Sequence, residues 1–155
     1  MGNAPLPIIE WLNELRGFGG EVRTAGLPDD VIQRFARLDS RLPEAVQAAV
    51  EEFRILCDEE PALMALDEDA QIADIQAGFV NFYPEDAVKP YVALAARGPW
   101  IVTLKGAVIH DSGGYGMLGF GHAPPSVLQA MNRRSAVRLV SPEALARYRR
   151  GRPNE

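Results

Sequence analysis

Apolar residues recur at helical spacing through the first half of the chain. Over residues 5–16, Ile8, Ile9, Leu12 and Leu15 share one face, and Gly17, Gly19 and Gly20 end the run. Pro28 to Leu38 repeats the pattern with Val31, Ile32, Phe35 and Leu38, opened by a proline and two acids that suit a helix N-terminus. A third helix is predicted from Pro43 to about Cys57. Its apolar stripe is Ala45, Val46, Ala49, Val50, Phe53, Leu56 and Cys57, with Leu42 just ahead. After Pro61 a short turn carrying Leu63, Met64 and Leu66 leads to Asp67, placed to cap a fourth helix with Ile72, Ile75 and Phe79. The first 80 residues therefore read as all-helical, with Gly78 and Pro84 marking the change to extended chain.

From Trp100 the period shortens. Trp100 to Leu104 is rich in β-branched and aromatic residues, and Ala107 to Ile109 resumes the apolar run after Lys105-Gly106, read as a two-residue hairpin connection. Gly113, Gly114, Gly116, Gly119 and Gly121 then fall within nine residues. That density suits left-handed turns or a backbone passing close to a ligand or a second chain, and equally a flexible surface loop. Pro124 and Pro125 suit a helix first turn, and Val127, Leu128 and Met131 continue at helical spacing. The fold class expected is α+β: a helical N-terminal part, one hairpin near 100–110 and a helix from about 125. An isolated hairpin is marginal in water, so this one must pack on the helices or on a second chain.

Composition narrows the class. A hydrophobic content of 47% and a net charge of −5 fit a globular chain, and no apolar run is long enough to span a bilayer. Met1-Gly2-Asn3-Ala4 does not open a secretory signal, Leu6 stands where a myristoylation motif needs Ser or Thr, and the single Cys57 cannot form an internal disulfide. A cytoplasmic location is the expectation. Charge is unevenly placed: residues 1–132 hold 19 acids and 9 bases, whereas residues 133–155 hold 7 arginines and 2 glutamates. A basic tail after an acidic body suits a nucleic-acid or anionic-surface arm, but a tail read out of frame gives the same arginine-rich run and is the preferred reading, so neither a nucleic-acid partner nor a membrane is expected.

Few residues offer chemistry. Gly114-Tyr-Gly-Met-Leu-Gly119 matches G-x-G-x-x-G, but Phe120 to Pro125 delays the helix past the last glycine, so its amides cannot face a pyrophosphate. His110-Asp111-Ser112 carries triad letters, yet neighbours on a strand point to opposite faces. Two histidines, His110 and His122, and a distant cysteine do not make a zinc site. Glu51-Glu52, Asp58-Glu59-Glu60 and Asp67-Glu68-Asp69 lack a calcium loop's alternating ligands and glycine and read as solvated helix faces. Cys57 reads as a buried core thiol.

The order strand, Lys105-Gly106 turn, strand, Asp111, Gly113 to Gly116, Gly121-His122 with Pro124, and helix resembles the N-terminal segment of class III pyridoxal-phosphate-dependent aminotransferases. Phe82 to Val92 and Gly98-Pro-Trp-Ile are similar to the lysine-aminotransferase-like branch. The resemblance covers about residues 70–131. It divides the chain into a helical extension (1–80), an aminotransferase segment (81–131) and a basic tail (132–155), with a truncation or reading-frame shift expected where it breaks near Asn132.

It implies a partial N-terminal segment of a fold-type I aminotransferase, in which the complete enzyme moves an amino group from an amino acid or amine to a 2-oxo acid. The glycine-rich stretch lines the substrate side of the family's pocket, often across a dimer interface, which implies substrate contact by Gly114, Tyr115, Gly116 and Met117. Tyr115 alternatively packs locally as a half-buried turn residue. No catalytic, cofactor or metal residue carries over. Lys105 lies in the hairpin turn, Lys89 precedes Pro90, and neither matches the family's cofactor lysine, which lies downstream with the pyridine-nitrogen aspartate and the substrate arginine. The chain is therefore expected to be inactive and free of pyridoxal phosphate by itself, with no buried, activated lysine. Homodimerisation or association with the missing remainder is expected. His122 is read as structural, bonding free backbone at the helix entrance. The alternative function is a non-catalytic binding module whose basic tail docks a protein or nucleic acid.

Overall fold

The computed structural model describes residues 7–78, 90–112 and 119–132. Its elements run α1 (Ile8–Arg16), α2 (Asp29–Ala36), α3 (Arg41–Glu59), α4 (Pro61–Met64), α5 (Glu68–Ala77), β1 (Ala93–Arg97), β2 (Trp100–Thr103), β3 (Val108–His110) and α6 (Pro125–Met131). The mixed α+β class and the helical first part are as the periodicity predicts. The chain divides after His122, and α6, which buries no residue, belongs to the second unit.

The core forms where the helical stripes meet the sheet. Ile8, Leu12 and Leu15 of α1, Ile32 of α2, and Leu42, Ala45, Val46, Ala49, Val50 and Phe53 of α3 join Trp100, Val102, Leu104 and Val108 in one buried cluster. α3 crosses β1 and β2 and also packs along α1. Pro43 falls in its first turn, where a missing N–H costs nothing. Asp67 caps α5 as its sequence position predicts, its Oδ1 accepting from the Ala70 N–H at 2.8 Å.

Four readings need correction. The hairpin belongs to a three-stranded antiparallel sheet of order β1-β2-β3, with Trp100 opposite both Arg97 and His110. Its loop has three residues rather than two: the Gly106 N–H donates to Thr103 O (2.9 Å), the Thr103 N–H donates to Ala107 O (2.9 Å), and Gly106 sits at φ +73°. That is a turn closed by a left-handed bulge residue, which Gly106 adopts without a Cβ penalty. Leu38 is 75% exposed, because α2 stops at Ala36 and a turn from Phe35 carries Leu38 off the apolar face. Cys57 is half-buried at the margin of the core rather than inside it. Burial, then the charges of Asp58 and Glu14, pushes its thiol above the ordinary value.

The sheet is fixed at its tip and at one edge. Arg16 Nε donates to Gly106 O at 3.1 Å, tying the hairpin loop to α1. The Leu27 N–H donates to Val108 O at 2.8 Å, so the α1–α2 connection covers the outer side of β3.

Candidate functional site at the base of the glycine-rich stretch

The Gly98–Pro99 turn between β1 and β2 gathers the described residues on both sides of the glycine-rich stretch. On its near side, the Asp111 N–H donates to Pro99 O at 2.7 Å. On its far side His122 forms an isolated antiparallel bridge with Gly98: the His122 N–H donates to Gly98 O (2.7 Å) and the Gly98 N–H to His122 O (3.0 Å). His122 Nε2 also lies 2.8 Å from Asp111 Oδ2, closing the two ends on each other. The approach is tight enough to require glycine. A Cβ on Gly121, at φ +70°, would stand 2.7 Å from Gly98 Cα, and one on Gly98, at φ +54°, would strike the Arg41 side chain at 2.8 Å. Ala123 follows at φ 47°, a left-handed conformation that strains a residue carrying a Cβ.

Beneath the turn lies a second group of contacts. Asp39 accepts from Arg41 Nε and Nη2, each at 2.8 Å, and from Trp100 Nε1 at 2.9 Å. Arg41, then Trp100, outweighs the opposing effect of burial and holds the Asp39 carboxyl well below the usual carboxylate range. Trp100 is buried, touches Phe35 at 5.4 Å between ring centroids, and meets His110 edge-on at 4.8 Å. The indole thus fixes the start of β2 and, through it, the turn that both ends of the stretch grip.

Of the site residues predicted from sequence, Gly114, Tyr115, Gly116 and Met117 lie outside the described residues. Asp111 and His122 are brought together. His122 is anchored through its own strand-like bridge and the Asp111 carboxylate, not through free backbone at a helix entrance. His110 and Asp111 diverge, one to Trp100 and the other to His122, so the triad letters make no relay.

A different cluster went unread in the sequence. Glu68, which the acidic run Asp67-Glu68-Asp69 predicts to be solvated, is instead 2% exposed: its Oε2 accepts from the Arg23 and Thr24 N–H groups at 2.6 and 2.7 Å. Burial works to raise its carboxyl, but bonding from Thr24 and Arg23 prevails and lowers it. Lys105 is also 2% exposed, which corrects the buried part of the expectation of no buried, activated lysine, and its Nζ donates to Leu66 O at 2.7 Å. Burial lowers its amine, against the opposing charges of Glu68 and Asp67. The signal available in the sequence was the apolar frame around Lys105, since Leu104 and Ala107 flank a turn that faces inward.

Pyridoxal phosphate does not fit these residues. Lys105, the one lysine among those described, is 2% exposed and holds its Nζ on Leu66 O with the Gly19 and Met64 backbone beside it, so the amine is not presented to a ligand the size of pyridoxal phosphate. Among the described residues no group of three His, Cys, Asp or Glu side chains could hold a metal ion, and no helix is long and apolar enough to cross a membrane. No protein-family model, curated protein or solved structure matches the chain.

Proposed function

We propose that this chain supplies the N-terminal, substrate-side segment of a class III aminotransferase of the lysine-aminotransferase-like branch. In that role it contributes a pocket wall through Gly114, Tyr115, Gly116 and Met117 and no catalytic group of its own. The observation that carries the reading is the anchoring of the stretch between Asp111 and His122 at both ends to the Gly98–Pro99 turn. A wall that must meet a small substrate with backbone atoms and a tyrosine needs its ends held at fixed positions, because misplacement by about 1 Å can cost a hundredfold in rate. The hairpin with its lysine-glycine turn, the Asp111–His122 pair and the proline-opened α6 stand in the order of the family motif.

The cofactor, its lysine and the transfer of an amino group to a 2-oxo acid belong, on this reading, to the rest of the enzyme, with which the chain associates in the cytoplasm. The test is the DNA downstream of the Asn132 codon, translated in all frames. The expected result is a continuation carrying a cofactor lysine, a pyridine-nitrogen aspartate and a substrate arginine, and its co-expression with this chain should yield pyridoxal-phosphate absorbance and transaminase activity. A downstream sequence with no such continuation in any frame would overturn the proposal.

A further inference from the structure

The Glu68 cluster leaves two interior oxygens without a partner. Glu68 uses Oε2 for the Arg23 and Thr24 amides, while its Oε1 is buried and unbonded. Gln71, one turn further along α5 and 1% exposed, donates through Nε2 to Leu63 O at 3.1 Å and to Met64 O at 3.3 Å. Both partners are acceptors, so the amide cannot be reversed, and its Oε1 is the second unbonded oxygen. Residues three apart on a helix share a face, which directs both side chains to the same side of α5. Lys105, from the β2–β3 loop, reaches the segment just ahead of α5, where it bonds Leu66 O two residues before Glu68. Its ammonium carries three donors and uses one, on Leu66 O. The charge of Glu68 acts on it, yet the two form no direct ion pair.

We infer that Glu68, Gln71 and Lys105 bind a single internal water molecule, which accepts from the Lys105 ammonium and donates to Glu68 Oε1 and Gln71 Oε1. The valences select this ligand. Two acceptors and a cationic donor need a molecule that accepts once and donates twice, and water does both, with about three bonds as buried waters typically make. The carboxylate and ammonium balance, so neither an added cation nor an anion would be neutralised. Gly19 bounds one side, where a Cβ would be 2.5 Å from Met64 O and 2.6 Å from Lys105 Nζ. The water would join three parts of the fold, namely α5, the β2–β3 loop and the 18–24 connection that Glu68 already grips.

A high-resolution crystal structure of the full chain tests the inference. An electron-density peak is expected about 2.7–3.2 Å from Glu68 Oε1, Gln71 Oε1 and Lys105 Nζ together. A direct Lys105–Glu68 pair, or no peak between the three atoms, would overturn it. In solution, oxygen-17 relaxation dispersion reads long-lived internal water. Gln71→Met should lose the contribution of one such molecule, whereas Gln47→Met, on the exposed side of α3, should retain it. Unchanged dispersion in folded Gln71→Met would also overturn the inference, and if that variant fails to fold the density decides.

Discussion

Around the Gly98–Pro99 turn, Asp39, Arg41, Asp111 and His122 are paired with one another and remain partly in solvent, whereas Glu68, Gln71 and Lys105 lie almost wholly inside the protein. The first group fixes a backbone crossing with short, mutually satisfied contacts. The second holds an acid and a base in the interior through backbone contacts, two amides on Glu68 Oε2 and the Leu66 carbonyl on Lys105 Nζ. The difference teaches where the chain is sensitive. A surface pair loses little when broken because water replaces the partner, while a buried ion left alone carries its full desolvation penalty. Geometry rather than charge should therefore govern the turn, and charge rather than geometry should govern the interior.

The largest effect expected is Lys105→Met. Removing the cation leaves the buried Glu68 carboxylate with only its Arg23 and Thr24 amides and without the opposite charge of Lys105 nearby, and leaving a buried polar group short of a partner costs about 1–3 kcal/mol, more for a charged one. Urea unfolding of the two proteins measures it. A loss well below this range would mean that Glu68 is neutral or solvated, and the contrast between the clusters would fail.

Next is Gly121→Ala. The added methyl would meet Gly98 backbone at 2.7 Å in a left-handed conformation, with a cost of about 1–3 kcal/mol for strained backbone. The same comparison predicts less from Asp39→Asn, within about 1 kcal/mol, because the pair is partly exposed and asparagine still accepts from Trp100.

How much of this could be read from sequence depends on whether the cause was local. α1 and α3 were legible because their stripes of Ile, Leu and Val at helical spacing are what the core buries, and Asp67 because a capping carboxylate acts three residues away. β1 was not: Ala93-Leu-Ala-Ala-Arg97 has little strand character and becomes a strand only by pairing with β2 beneath α3. The Lys105-Gly106 turn is legible, but its length depends on whether Ala107 pairs with Leu104 or with Thr103, and Leu104 instead donates to Val92 O on the β1 side. For the site, glycines and His122 were noticed as a motif, while the grip of Asp111 on His122 needed the chain's return to Gly98. Glu68 was misread because its donors, Arg23 and Thr24, lie more than 40 residues earlier.

A smaller effect follows from pH. The Glu68 carboxyl is lowered in the fold, so its contribution is complete above the ordinary glutamate value and is lost as pH falls through the lower folded value. Lys105 is lowered as well, so between its folded value and the ordinary lysine value the unfolded chain binds more protons and stability rises with pH. Thermal melts of the chain and of Glu68→Gln at matched pH should show a shallower acid decline in the variant. Parallel curves would remove Glu68 from the acid response.

The anchoring of the glycine-rich stretch is tested most directly by amide hydrogen exchange at Gly98 and His122. Both amides donate across the bridge, so the account predicts slow exchange comparable with the paired amides of β2, with His122 accelerated in Gly121→Ala. Exchange of both amides at the rate of an unpaired surface amide in the unmodified protein would contradict it.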